Sequence, residues 1–159
     1  MCSVSGQAVA AQTRAQIRGD VSAELRAQLE RAVGEVDSAP SSRFEARRRA
    51  QGAAEAAEAL LRSEGYYQPV IEDLVEGEET PVAIVSVQPG KRFALTQPSV
   101  TWTAPEPDAE RGSHAVAAIG LKPGDPGRAV DVIAGEGRIV AALTREGYAD
   151  ARAEPRRVG

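Results

Sequence analysis

The chain has 159 residues, 42% hydrophobic and 26% charged, a balance that is typical of a folded protein and excludes a wholly disordered one. This length corresponds to one ordinary domain or two small ones, at about 100–200 residues per domain. The net charge of −4 gives the chain as a whole no electrostatic reason to bind nucleic acid, and with 4% aromatic residues any core is built mainly from Ala, Val, Leu and Ile.

Residues 1–11 are predicted to be an N-terminal tail. They lack the basic start and the long apolar stretch of an export signal, although Ala8-Val9-Ala10 is similar to the end of one. We therefore expect that the true start lies upstream and that the export signal has been lost. Cys2 is the only cysteine and cannot form an internal disulfide, and no apolar run approaches the ~18 residues needed to span a bilayer.

A strand and two helices are predicted next. Thr13–Arg18 alternates between apolar and polar residues, as a strand does, and Gly19-Asp20 turns the chain. Ser22 is a suitable N-cap for a first helix, and a second helix is predicted over residues 43–64. Helical spacing predicts two buried stripes: Leu25, Leu29, Ala32 and Val33 in the first helix, and Ala46, Ala50, Ala53, Ala57, Leu60 and Leu61 in the second.

A hairpin follows the second helix. Gly65 stands where a left-handed residue would end the helix, and Tyr66 can then fold back onto its last turn. Two strand-like runs, Pro69–Val75 and Pro81–Val87, are joined by an acidic turn over residues 76–80, a length that suits a hairpin. The predicted order is β-α-α-β-β, and it defines a first module over residues 12–94.

Residues 95–159 are predicted to be a second, incomplete copy of this module. Glu64-Gly65-Tyr66 and Glu146-Gly147-Tyr148 match at an offset of 82 residues, with a leucine three positions before each. The predicted elements are a strand at Ser99–Thr103, a helix near His114–Leu121, a helix over residues 128–146 and a strand at Ala151–Arg156. Ile133, Val140 and Leu143 are predicted to be buried in the longer helix, where Gly135 and Gly137 each cost about 1 kcal/mol relative to Ala.

The chain resembles POTRA domains, the periplasmic modules in front of outer-membrane β-barrels of the BamA and TamA type. The likeness covers nearly all of the chain from about residue 13. It depends on the β-α-α-β-β order, on the helix endings Leu61–Tyr66 and Leu143–Tyr148, and on two turn motifs, which are Gln88-Pro89-Gly90-Lys91-Arg92-Phe93 and Gly120-Leu121-Lys122-Pro123-Gly124-Asp125-Pro126. The second motif, with the short first module, is more similar to TamA than to BamA.

The resemblance implies an α/β (α+β) fold, in which a three-stranded sheet is covered by two antiparallel helices, and a fragment of a larger periplasmic assembly or translocation factor. Because the sequence contains no residue set that could perform catalysis, the protein is not predicted to be an enzyme, and no cofactor is predicted. The implied partners are nascent outer-membrane proteins or an accessory translocation subunit, with membrane contact only through a C-terminal β-barrel that this chain lacks. Gly65, Tyr66, Pro89, Gly90, Pro123, Gly124, Gly147 and Tyr148 are interpreted as structural caps and turns.

The first strand of the hairpin is the candidate binding site, because the resemblance implies that it lies at a sheet edge. An edge strand presents unpaired N–H and C=O groups to which an extended peptide can add as another strand. The residues concerned are Val70, Ile71, Glu72, Asp73, Leu74 and Val75. A second interpretation stays open, in which the two acidic residues only guard the edge against aggregation.

Other chemistries fit the sequence less well. His114 is the only histidine, so it has no second histidine or nearby cysteine with which to form a metal site or a catalytic triad. The carboxylates of residues 72–79 lack the spacing of a calcium loop, and no metal is predicted. Gly124-Asp125-Pro126-Gly127 is similar to the GxxG loop of nucleic-acid-binding KH domains, but Asp125 would repel a phosphate and Pro126 has no N–H. A division-type membrane protein with one such module is a further alternative.

Overall fold

A computed structural model of the chain describes residues 12–103 and 105–154. The described residues divide into two compact units: unit 1 contains residues 12–62 and 66–91, and unit 2 contains residues 63–65 and 92–154. The elements in chain order are β1 (Gln12–Thr13), β2 (Gln16–Arg18), α1 (Ala23–Val33), β3 (Glu35–Val36), α2 (Arg43–Ser63), β4 (Val70–Glu76), β5 (Val82–Gln88), α3 (Ala109–Ala117) and α4 (Ala129–Arg145).

Unit 1 contains a three-stranded sheet with the strand order β2-β5-β4. Strand β2 runs parallel to β5, with Ile17 opposite Val85, and β4 runs antiparallel to β5 from Val70 opposite Gln88 to Glu76 opposite Val82. The α/β fold class, with two helices and a closing β-hairpin, is confirmed.

The core of unit 1 lies between the two helices and one face of the sheet. It depends on small side chains, because alanines that are completely buried along α2 allow the helix backbone to approach its neighbours closely. The residues of the two predicted buried stripes are buried, except that Ala32 is exposed and Leu60 is half-buried. The core cluster consists of Ala15, Leu25, Leu29, Val33, Ala50, Ala53, Ala57, Leu61, Ala83, Val85 and Val87.

Serine side chains begin both helices of unit 1. The Ser22 hydroxyl accepts a hydrogen bond from the Leu25 N–H at 3.2 Å, and Ser42 does the same for the Glu45 N–H. The Glu45 carboxylate in turn accepts from the hydroxyl and the N–H of Ser41, at 2.6 and 2.8 Å, and it is paired with Arg49. These bonds, chiefly those from Ser41, lower the pKa of Glu45 to about 2.

The first predicted strand, Thr13–Arg18, is interrupted. The Ala15 side chain is buried in the core and the Arg14 N–H donates to the Gly34 carbonyl at 2.9 Å, so the backbone at these two residues leaves the strand conformation. The residues before the break form β1, which pairs with β3 as a second, two-stranded sheet that was not predicted.

Gly19 ends β2 in a conformation that only glycine adopts readily. Its φ is +125°, and a Cβ atom there would overlap the Val87 carbonyl oxygen and lie 3.0 Å from its carbon. This turn therefore requires both a positive φ and the absence of a side chain.

In unit 2 the shorter predicted helix, His114–Leu121, was placed wrongly. Helix α3 begins five residues earlier, because the Asp108 carboxylate accepts from the Arg111 N–H at 3.0 Å and caps the first turn. It ends at Ala117, before Gly120, whose φ is +65°. The predicted strand Ser99–Thr103 is also wrong, since these residues form no strand.

Helix α4 has nearly the predicted bounds, and the predicted burial of Leu143 is confirmed, but the rest of its buried face differs from the prediction. Gly135 is buried, and a Cβ atom on it would lie 3.1 Å from the Ile119 carbonyl oxygen, so it allows a close approach to the chain after α3. Ile139, Ala142 and Leu143 complete that face. The predicted burial of Ile133 is wrong, as 52% of it is exposed, and Val140 is half-buried.

The last predicted strand, Ala151–Arg156, does not form over residues 151–154, and its final two residues lie outside the described part of the chain. Across residues 12–103 and 105–154, no helix is both long enough and apolar enough to cross a membrane.

We expect Gly19→Ala to destabilise unit 1 by more than about 2 kcal/mol, because the new methyl group overlaps Val87 and the positive φ is strained. Gly52→Ala is the matched control: Gly52 lies in α2 with no atom within 4 Å of a Cβ, so it should stabilise the unit by about 0.5–1 kcal/mol. Hydrogen exchange of the α2 amides measures both. Equal effects would contradict the close approach at Gly19.

The Glu45 carboxylate should make unit 1 sensitive to acid. Because folding lowers its pKa from 4.5 to about 2, its stabilising effect is complete above pH 4.5 and is lost as the pH falls through about 2. Glu45→Gln should therefore be less stable than the wild type at neutral pH, and this difference should vanish in acid. Exchange of the α2 amides over that pH range measures the difference, and a constant difference would contradict the assignment.

Candidate strand-addition site

Strand β4 lies at one edge of the three-stranded sheet, and β5 is its only strand partner among the described residues. This is the strand that contains the six predicted site residues, Val70 to Val75, and it extends one residue further, to Glu76. Successive N–H groups of a strand point to alternate sides, so about half of the backbone polar groups of β4 face away from β5. The structure brings these residues together, and their binding role stays a prediction.

The side chains of β4 alternate between the two faces of the sheet. Ile71 and Val75 are half-buried and lie opposite Val87 and Ala83, two core residues of β5, so they share the face that the helices cover. Asp73 belongs to the same face but is exposed. The outer face carries Val70, Glu72, Leu74 and Glu76, of which Val70 is 53% and Leu74 is 40% exposed.

The backbone of β4 is open along its free edge. Among the described residues, no side chain and no other backbone segment is hydrogen-bonded to the main chain of Val70–Glu76 apart from the ladder with β5. The nearest such bond lies just beyond the strand, where Arg43 donates to the Gly77 carbonyl at 2.8 Å.

The opposite edge of the sheet, β2, is covered. The Arg26 guanidinium of α1 donates to the Ile17 carbonyl at 2.7 Å and to the Gly19 carbonyl at 2.9 Å. One side chain therefore occupies the Ile17 carbonyl of β2 and the carbonyl of Gly19, the residue that follows the strand. Within the described residues, the β2 edge thus has two main-chain acceptors bound by a side chain, and the β4 edge has none.

An ion pair joins the two edge strands, β2 and β4, across the face of the sheet that the helices do not cover. Arg18 of β2 donates one hydrogen bond to each carboxylate oxygen of Glu76 in β4, at 2.6 and 2.8 Å. Arg18 lies level with Ser86 and Glu76 level with Val82, so the pair crosses β5 near Ile84, which is completely buried. The bonds lower the pKa of the Glu76 carboxyl and raise that of Arg18.

Glu72 and Asp73 differ from Glu76. Within the described parts of the chain, neither carboxylate has a lysine, arginine or histidine nitrogen within 4.0 Å, and both side chains are exposed. The middle of the free edge thus carries one unpaired negative charge on each face of the sheet. Sequence reasoning identified these residues, and their separation onto opposite faces follows from the strand period of two.

The two Gly-Tyr helix endings have the same local geometry. Gly65 has a φ of +91° and the Tyr66 N–H donates to the Leu61 carbonyl at 2.8 Å, while Gly147 has a φ of +98° and Tyr148 donates to Leu143 at 3.0 Å. Both are Schellman endings, in which a left-handed glycine lets the chain satisfy a carbonyl of the last turn. The Tyr148 hydroxyl also donates to the Asp108 carboxylate at 3.2 Å.

The remaining predicted cap and turn residues lie in two loops. Pro89 and Gly90 follow β5, and the φ of Gly90 is +71°. Pro123 and Gly124 lie between α3 and α4, where the φ of Gly124 is +90°.

The loop that is similar to a KH phosphate cradle has its N–H groups occupied. Gly124 donates to the Leu95 carbonyl at 2.8 Å, Asp125 to the Lys122 carbonyl at 3.1 Å, and Gly127 to the Phe93 carbonyl at 2.9 Å. A phosphate would need these donors free, because main-chain N–H groups form such cradles. The geometry therefore disfavours nucleic-acid binding at this loop.

Two helices, a closing hairpin and a three-stranded sheet are the architecture of the POTRA class of protein-interaction modules. In agreement, residues 14–89 match the family model described as POTRA domain TamA domain 1. Residues 14–89 are a POTRA domain of the TamA family, whose members are periplasmic modules of outer-membrane assembly factors, and the recognition is confirmed for this part of the chain. No match to the chain was found among the curated proteins.

Two features of the site were missed from the sequence. Arg26 was not identified as the residue that covers β2, and the pairing of Arg18 with Glu76 was not foreseen. The helical spacing places Arg26 next to the buried Leu25, but no local pattern indicates which carbonyl groups it reaches.

The two bonds from Arg26 predict a measurable effect on stability. Arg26→Met should destabilise unit 1 by roughly 1–2 kcal/mol, because it removes two charge-assisted bonds and leaves their acceptors to water. Arg31→Met is the matched control on the same helix, since Arg31 is exposed and has no partner among the described residues, and it should change stability by less than about 0.5 kcal/mol. Hydrogen exchange of the α2 amides measures both, and equal losses would contradict the edge-covering role.

Proposed function

We propose that this chain is a non-catalytic, periplasmic part of an outer-membrane protein assembly or translocation factor, and that its first unit binds polypeptides by strand addition at β4. The partners would be nascent outer-membrane proteins or an accessory translocation subunit. The family of residues 14–89 supports the setting, and the free backbone edge of Val70–Glu76 supports the binding mode.

The open edge is the single observation on which this proposal depends. A strand of seven residues directs about half of its N–H and C=O groups outward, and an added peptide can pair with them. Because β2 is covered by Arg26, the free groups are concentrated on β4. A peptide in this position would extend the sheet to four strands.

Binding at this edge should be weak and tolerant of sequence. About four new backbone hydrogen bonds, at a net ~0.5–1.5 kcal/mol each, correspond to dissociation constants near the millimolar range before side chains contribute. Ordering of the peptide weakens binding further, and contacts with the exposed Val70 and Leu74 strengthen it. Weak capture suits a module that must release its client.

Nucleic-acid binding is the alternative function that the sequence suggested. The net charge of −4 and the occupied N–H groups of the loop at residues 122–127 argue against it. RNA retained by the purified chain at low salt and released at high salt would support that alternative.

Strand addition predicts that one side of the peptide backbone is essential. A neutral peptide with the core Val-Ile-Gln-Gln-Leu-Val should shift the amide signals of β4 in a titration followed by NMR. N-methylation of every second residue should abolish this effect, whereas N-methylation of the intervening residues should preserve it, because only one row of N–H groups faces β4. Loss with both methylated peptides, or with neither, would contradict strand addition.

Proline substitutions in β4 provide the corresponding test on the protein. Leu74→Pro should abolish capture of the peptide while the α1 and α2 amides stay protected. Asp73→Pro is its partner variant, because the N–H groups of adjacent residues point to opposite sides and one of the two must face outward. If both variants bind the peptide as the wild type does, β4 is not the site.

A further inference from the structure

The free edge of β4 has a symmetric chemical pattern. From Val70 to Val75 the residues are two apolar, two acidic and two apolar, and this order is the same in both directions along the strand. The pattern is continuous with the open backbone, so a peptide that adds to β4 must pass beside all six side chains. The backbone groups of β4 would bind the added strand, and the side chains of β4 would determine which strands bind.

The two central carboxylates remain available to a partner. Glu76 is neutralised by Arg18, but in the described part of the chain Glu72 and Asp73 have no cation within 4.0 Å. They lie on opposite faces, Glu72 beside Ser86 and Asp73 beside Val85. Residues directly opposite each other in adjacent strands share a face, so two consecutive residues of an added strand would meet these two carboxylates.

We propose that β4 prefers strands that carry two consecutive basic residues flanked on each side by apolar residues. This preference rests on the proposed strand addition and names its client class. One basic side chain would pair with Glu72 on the outer face and the other with Asp73 on the inner face, while apolar neighbours would contact Val70 and Leu74 outside and Ile71 and Val75 inside. The symmetry of the pattern makes the preference independent of strand direction.

The same two charges would keep β4 from pairing with a second copy of itself. When two free β4 edges meet antiparallel, the same faces match, so an acid would lie opposite its own equivalent in a pair centred on it. When they meet parallel, one copy is turned over, and Glu72 would lie opposite Asp73 of the other copy. Like charges directly opposite are destabilising. The edge-guarding role of the acidic residues and the selection of basic clients are therefore two consequences of one charge pattern.

The preference should be moderate and sensitive to salt. Each opposite-charge pair between neighbouring strands contributes little, so two pairs should change the dissociation constant about tenfold between a basic and a neutral peptide. Both carboxylates are exposed, and ions at 1 M salt should screen most of this difference.

The test uses the full chain and three peptides that differ only at their two central residues. The cores are Val-Ile-Lys-Lys-Leu-Val, Val-Ile-Gln-Gln-Leu-Val and Val-Ile-Glu-Glu-Leu-Val, and NMR titration gives the three dissociation constants. We expect the lysine peptide to bind about tenfold more tightly than the glutamine peptide, and the glutamate peptide to bind most weakly.

Protein variants show whether the preference is local. Glu72→Gln with Asp73→Asn should abolish the preference, and Glu72→Lys with Asp73→Lys should reverse it in favour of the glutamate peptide. Glu78→Gln with Glu79→Gln is the matched control, because it changes the net charge by the same amount in the exposed turn after β4 and should leave the preference unchanged. An equal loss in this control would assign the preference to overall charge and would overturn the proposal.

The outcomes separate this inference from the proposed function. Equal affinity for the three peptides, with binding still sensitive to N-methylation on one side, would overturn the charge preference and leave strand addition in place. If no peptide shifts the β4 amides, strand addition fails and the charge preference fails with it. A preference for the lysine peptide that persists in the variant without Glu72 and Asp73 would also refute the inference.

Discussion

A β-strand has two hydrogen-bonding edges, and in a three-stranded sheet only the middle strand has a partner on both. In this protein the middle strand is β5, which holds β2 in parallel and β4 in antiparallel register and directs Ala83, Val85 and Val87 into the core. The outer backbone groups of β2 and β4 therefore have no strand partner in the sheet. A side chain binds the Ile17 carbonyl of β2 and none binds the outer groups of β4 among the described residues, and this difference makes β4 a candidate binding surface.

On the β2 side, Arg26 reaches from α1 to two main-chain acceptors, so a long side chain replaces a fourth strand. On the β4 side, nothing replaces it within the described parts of the chain. Arg18 and Glu76 connect the two outer strands across β5 without occupying the β4 backbone, so they strengthen the sheet while its edge stays open. In β4, a side chain thus helps to stabilise the sheet, while the backbone groups of the strand stay accessible.

The elements that could be predicted from the sequence are those that local chemistry decides. Ser22 and Gly65 mark helix ends through bonds to residues within one or two turns, and the periodic alanines of α2 identify its buried face. Prediction failed where a contact with a residue far away in the sequence determines the local structure. Ala15 interrupts the first strand because the core takes its side chain, and α4 buries Ile139 rather than Ile133 because Gly135 allows a close approach at Ile119. The edge position of the candidate strand-addition site followed from the resemblance, but the difference between the two sheet edges could not be predicted, since the partners of Arg26 depend on tertiary structure.

The two Gly-Tyr endings show why helices and strands differ in this respect. Both close their helices through the same bond from tyrosine to leucine, yet residues 70–76 form a strand after the first and residues 151–154 form none after the second. A helix satisfies its backbone from within its own segment, so its end is determined locally. A strand needs a neighbour, and β4 has β5, whereas the described residues of unit 2 provide no such strand. An alternating pattern therefore predicts a strand only together with the segment that pairs with it, and the same requirement leaves the free side of β4 open to a partner.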